Sequence, residues 1–114
     1  MIMNKDYLPY LNHILDSIKD IESHIKSVSR KKFLSSVKTQ DAVIRKLEII
    51  GEATKHIPSK VRKKYPEIPW KQIAGMRDRL IHVYFDVDLD LVWRILKADL
   101  PKLKKQIEKI KSVL

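Results

Sequence analysis

The sequence predicts an all-α protein, an antiparallel bundle of four principal helices with short helices between them. Three observations carry this. Only two glycines occur in 114 residues, apolar residues recur at spacings of three and four, and no stretch alternates for long enough to suggest a sheet. Short connections between the periodic segments favour antiparallel neighbours.

Leu11, Ile14, Ile18, Ile21, Ile25 and Val28 form one apolar stripe along a long first helix, with Asp6 as its expected cap and Pro9 in its first turn. Ser29 to Lys38, rich in Ser and Lys, reads as a break. Thr39 is then the expected cap of a second helix that turns Val43, Leu47, Ile50, Thr54 and Ile57 inward and stops at Pro58. Gly51 lies in the middle of that helix, where glycine costs about 1 kcal/mol relative to alanine, so close packing of a neighbour is expected there. Ser59 to Tyr65 suits one short helix, and Pro69 suits the first turn of a helix running to about Tyr84. After a connector at 85–88, Asp88 is placed to cap a last helix with Val92, Ile95, Leu103, Ile107, Ile110 and Leu114 inward; Pro101 should kink it.

A chain of this length makes one modest core, so a single domain over residues 1–114 is expected. No apolar run approaches the roughly 20 residues that cross a bilayer, and Lys5, Asp6, Pro9 and Asn12 interrupt any secretory signal in the first 15 residues. A cytoplasmic protein with no membrane association is expected. Absence of cysteine excludes disulfides, thiolate metal sites and thiol nucleophiles. The formal charge of +10 favours a polyanionic partner, with nucleic acid the first candidate, an acidic protein the second and an anionic membrane surface the third.

Chemistry-bearing patterns are few. The four histidines make no His-Glu-x-x-His pattern, and His13 and His24, eleven residues apart on one face, stand about 16 Å from each other. They cannot share one ion, and no metal or other cofactor is expected. Gly51 and Gly75 are isolated, so no glycine loop cradles a phosphate. The basic cluster Lys60, Arg62, Lys63 and Lys64 is a candidate nucleic-acid contact, although such a cluster is more often a solvated helix face. Glu52 and Asp41 read as solvated acids or partners of nearby bases.

What remains is Met76 to Asp88, MRDRLIHVYFDVD. Arg77, four residues, His82, one residue and Tyr84 resembles the signature of the HepT-like branch of the HEPN superfamily, the toxin half of an HEPN and MNT toxin-antitoxin pair. Asp78, a polar residue directly after the arginine, suits the pattern, while Val83 stands where glycine is often found. The blocks RKLEIIGEATKHIP from Arg45, PWKQIAGMRDRLIH from Pro69 and YFDVDLDLVW from Tyr84 are similar to the family's other familiar stretches. The resemblance covers nearly the whole chain.

It implies an endoribonuclease with Arg77 and His82 as catalytic residues, acting as a homodimer on RNA. It also implies a cognate MNT-type nucleotidyltransferase antitoxin that transfers AMP to Tyr84. The residue types suit the reaction. Cleavage without metal needs a base for the ribose 2′-hydroxyl, an acid for the departing 5′-oxygen and positive charge for the phosphorane. Histidine titrates near neutrality, and arginine presents paired planar donors to phosphate oxygens. On an ideal helix Arg77 and His82 would project about 140° apart, so one copy makes an incomplete cleft. Two copies about a two-fold axis would bring a base and an acid histidine together with both arginines. Arg79 is a further candidate RNA contact. The competing reading is a noncatalytic subunit that uses the same basic surface to bind a nucleotidyltransferase or nucleic acid; a helix-turn-helix reading is weaker, because no short turn leads to a polar recognition helix.

Overall fold

The computed structural model describes residues 6–83 and 86–114, and the side chains of residues 81–87 lie outside that description. The fold is all-α, with one short strand pair. Helix α1 spans Leu8–Ile25, α2 Arg30–Ser35, α3 Val37–Lys55, α4 Ser59–Lys64, α5 Trp70–Ala74 and α6 Met76–Leu80. Strands β1 (Ile81–Val83) and β2 (Asp86–Val87) follow, and then α7 (Leu89–Arg94), a π-helical segment (Ile95–Asp99) and α8 (Leu100–Ser112).

The long helices run antiparallel to α1. Tyr10 at the start of α1 meets His56 just past the end of α3, and Asp20 pairs with Lys46 at 2.9 Å. Glu22 near the end of α1 pairs with Lys104 early in α8 at 2.9 Å. The apolar stripes face one another: Leu11, Ile14, Ile18 and Ile21 of α1, Val43, Leu47 and Ile50 of α3, and Leu103, Ile107 and Ile110 of α8 are all buried in a single core. Removing that surface from water is the main favourable contribution to the fold.

Several local expectations need correction. A capping side chain must directly precede the first helical residue, so Asp6 is one position early; Tyr7 occupies the cap, without a side-chain bond, and Pro9 lies in the first turn as expected. The serine-rich break contains α2, capped by Ser29, and Ser36 rather than Thr39 caps α3, its hydroxyl accepting the Thr39 N–H. Helix α2 anchors through Phe33, which is fully buried and lies 5.2 Å from the Trp93 ring. Asp88 caps α7 as expected, accepting the Leu91 N–H at 3.0 Å. Leu114, expected inward, is 38% exposed.

Pro101, expected to kink the last helix, is accompanied by a widened turn. Proline offers no N–H to the carbonyl four residues back and its ring crowds that carbonyl. Just ahead of it the Leu100 N–H bonds to the Ile95 carbonyl, five residues back, so the chain makes one π-helical turn before α8 resumes.

The largest correction concerns the helix expected from Pro69 to about Tyr84. It breaks at Gly75, the residue between α5 and α6, and ends at Leu80. Ile81 to Val83 are then extended and pair antiparallel with Asp86–Val87, with an irregular register, and the Asp88 N–H bonds to the Leu80 carbonyl at 3.3 Å. Ile81, Val83 and Val87 are β-branched and favour extended backbone, which outweighs the helical spacing here.

Gly51 has the packing reason sought for it. A Cβ there would sit 3.0 Å from the Ile73 carbonyl oxygen and 3.3 Å from Met76 Cβ. The glycine lets the α5–α6 junction lie directly on α3, and this contact sets the position of Arg77.

Candidate active site

Arg77 is the second residue of α6 and follows Met76, which is buried beside Gly51. With its backbone fixed by that neighbour, the Arg77 side chain leaves the core and is 75% exposed. It lines a small cleft of about 70 Å3 with Glu48, Gly51, Glu52 and Ala74. The Arg77 Nε lies 3.6 Å from Glu48 Oε2. An exposed pair at that separation stabilises by no more than about 1 kcal/mol, so Glu48 orients the guanidinium lightly and leaves it free to turn to a phosphate.

Glu52 is the second acid of this cleft. Its hydrogen bond from Lys55 at 2.9 Å, the Lys55 charge, and the charges of His56 and Arg77 hold its carboxyl below the ordinary range, against desolvation acting in the opposite direction. Glu52 is therefore an acceptor and a negative charge at neutral pH, not a proton donor. Glu48, half-buried, and Glu52, exposed, stand four apart on α3, so the two carboxylates flank Arg77 from a single helix.

The other expected site residues distribute as follows. His82 belongs to β1, two residues beyond the end of α6, with its side chain outside the described set, and Tyr84 lies outside the described residues. The helical projection of Arg77 against His82 does not apply, because the two are on different elements; an argument for two copies must come from the chemistry. Asp78 is exposed next to Arg77. Arg79 turns away to a separate cleft with Met76, Asp99, Lys102 and Gln106. Lys60, Lys63 and Lys64 are exposed on α4, Lys60 and Lys64 lining a third cleft beside Tyr7 and the chain end. Arg62 is partly committed to structure, its Nε donating to the Ile57 carbonyl at 2.9 Å.

Glu48 was not singled out by sequence. Its only signal was the four-residue step to Glu52 on a face free of core residues. Among the described residues no group of three or more His, Asp or Glu comes together as a metal site, and no helix is long and apolar enough to cross a membrane.

Comparison with known proteins identifies the family. The family model "Ribonuclease HepT-like" matches residues 14–110. A Methanocaldococcus jannaschii protein named for both a gamma-glutamylcyclotransferase and an RNase is 54% identical over 112 residues, which is 98% of this chain and 50% of that relative. The chain thus spans about half the length of that protein. A probable ribonuclease HepT of Thermococcus cleftensis is 46% identical over 110 residues, 96% of this chain and 100% of the relative. A Caldanaerobacter subterraneus protein with an RNase name is 42% identical over 102 residues, 90% of this chain and 91% of its own. No solved structure matches the chain. A match over most of the sequence, relatives that it covers almost end to end, and an all-α HEPN-like fold together place this chain in the HepT-like ribonuclease family.

Proposed function

We propose that this protein is a metal-independent endoribonuclease toxin in which Arg77 and His82 are catalytic. The observation that carries the reading is the Arg77 guanidinium, exposed at a cleft mouth and only lightly held by Glu48, in a chain of charge +10 that belongs to a ribonuclease family. In the reaction, the ribose 2′-oxygen loses its proton to one imidazole and attacks phosphorus. The P–O5′ bond breaks, a second imidazole protonates the departing oxygen, and a 2′,3′-cyclic phosphate remains. Arg77 stabilises the charge gathering on the non-bridging oxygens. The exposed lysines of α4 add long-range attraction for RNA.

Attacking and leaving oxygens stand on opposite sides of phosphorus, so one imidazole cannot serve both in a single step. Each chain supplies one His82, and a homodimer with a shared cleft supplies two. Tyr84, two residues further on, is the site at which an MNT-type nucleotidyltransferase antitoxin silences the toxin. Its phenolic oxygen attacks the α-phosphorus of ATP, pyrophosphate departs, the phenolic proton passes to a base of the antitoxin, and AMP stays on the tyrosine.

Mixing tests the shared site. Wild-type chains exchanged with a roughly ninefold excess of inactive His82→Ala chains should lose about tenfold of their cleavage activity, because most wild-type chains would then sit in dimers with a single histidine. Activity per wild-type chain that stays constant through complete exchange would contradict the shared site.

A further inference from the structure

Beside the Arg77 cleft lies a second, open one of about 400 Å3 between α1 and α3, walled by Tyr10 and His13 on one side and by Arg45, Glu48, Glu52 and His56 on the other. Its wall is aromatic. The Tyr10 and His56 rings are stacked, centroids 4.6 Å apart and planes within 10°, and His13 meets Tyr10 edge-on at 6.1 Å. His13 and His56 are exposed and Tyr10 is half-buried, so the stack is a surface feature and not part of the core. The two clefts adjoin, with Glu48 and Glu52 lining both. Glu52 also feels the charges of His56 and Arg77 at once.

We infer that the Tyr10–His56 stack is a binding site for an unpaired nucleobase of the RNA strand whose phosphate lies at Arg77. The inference rests on the ribonuclease reading and adds where the strand runs. Three features favour a base as occupant. Its flat face extends an existing stack of two rings, an interaction available to every base. Arg45 in the same wall offers charge to the connecting phosphate, or its planar group to a π-face. Glu48 and Glu52 would repel a phosphate, but their carboxyl oxygens suit the amino and ring N–H donors of a base edge. Phosphates are thus directed toward Arg45 and Arg77, with the base turned inward between them.

The test uses a single-stranded 2′-O-methyl oligoribonucleotide, which cannot be cleaved, with 2-aminopurine at alternate positions as a reporter of stacking. The wild-type protein should bind it and quench its fluorescence. Tyr10→Ala and His56→Ala should each bind on the order of tenfold more weakly with most of the quenching lost. Tyr10→Phe should bind and quench like the wild type, since it keeps the ring. Because stacking releases no counterions, Tyr10→Ala should keep the wild-type dependence of affinity on salt, whereas Arg45→Ala should reduce that slope by about one charge. Retained helical circular dichroism in each variant separates lost binding from lost folding; should an alanine variant unfold, Tyr10→Leu and His56→Gln replace it. Undiminished affinity and quenching in the ring-less variants would overturn the inference, as would failure of the wild type to quench. Cleavage of unmodified RNA is measured separately: quenching without cleavage would sink the ribonuclease reading and leave the base site standing, and cleavage without quenching would do the reverse.

Discussion

Arg77→Ala and His82→Ala should each lower RNA cleavage on the order of a thousandfold or more, the combined expectation for losing a proton-transfer group or a transition-state charge. For Arg77 the fold is not at stake. Its side chain is 75% exposed and its pair with Glu48 is weak, so truncation removes no core volume and the melting temperature should change by only a few degrees. Arg77→Lys should recover little of the activity, because an ammonium is a point charge and cannot offer two parallel donors to a phosphate. His82→Asn keeps a polar group of similar shape without an imidazole proton, and should be as inactive as the alanine variant. Gel-resolved cleavage rates, with circular dichroism melts on the same samples, check both halves of the prediction. Wild-type rates in either alanine variant would remove that residue from the active site.

Addition of AMP to Tyr84 should suppress cleavage to a similar depth. The chain has a strong positive charge, and the proposed cleft draws phosphate through Arg77. On the proposed mechanism an AMP group adds a negatively charged phosphodiester two residues along the chain from His82, which would compete with RNA for Arg77 and repel an incoming strand. Affinity for RNA and turnover should both fall. Coexpression with the proposed MNT-type nucleotidyltransferase partner, followed by intact mass and peptide mapping, should find AMP on Tyr84, and the purified modified protein should be inactive. Tyr84→Phe should cut RNA and stay active in the antitoxin's presence. AMP found solely on another residue, or a modified protein that cuts at the normal rate, would remove this mode of control.

The long helices were legible because their apolar spacing is dense and regular. Leu11, Ile14, Ile18 and Ile21, then Val43, Leu47 and Ile50, then Leu103, Ile107 and Ile110 were all assigned inward and all are buried. Asp88 as a cap, Pro9 in a first turn and the close packing at Gly51 follow from single-residue chemistry that tertiary context did not override. The segment after Leu80 was misread. Its apolar residues fit a helical period and a strand equally over so short a stretch, and the pairing of Ile81 with Val87 is a contact between strands that a helical reading leaves out. Site partners were harder still. Glu48 meets Arg77 across 29 positions and Tyr10 meets His56 across 46, and no periodicity links residues so far apart. Arg77 itself was found by resemblance; its weak pair and its cleft came only from the fold.

Substrates differing at one oxygen test the central claim most directly. An RNA oligonucleotide with a mapped cut site, and the same strand with 2′-deoxyribose at the nucleotide 5′ to that cut, are incubated with the wild-type protein in excess EDTA, and the product ends are read by mass. The account predicts that the first is cut, leaving a 2′,3′-cyclic phosphate, and that the second is not cut at that bond, since its internal nucleophile is gone. Cleavage of the deoxy strand at the same bond, or loss of all cleavage in EDTA that returns with a divalent cation, would contradict it.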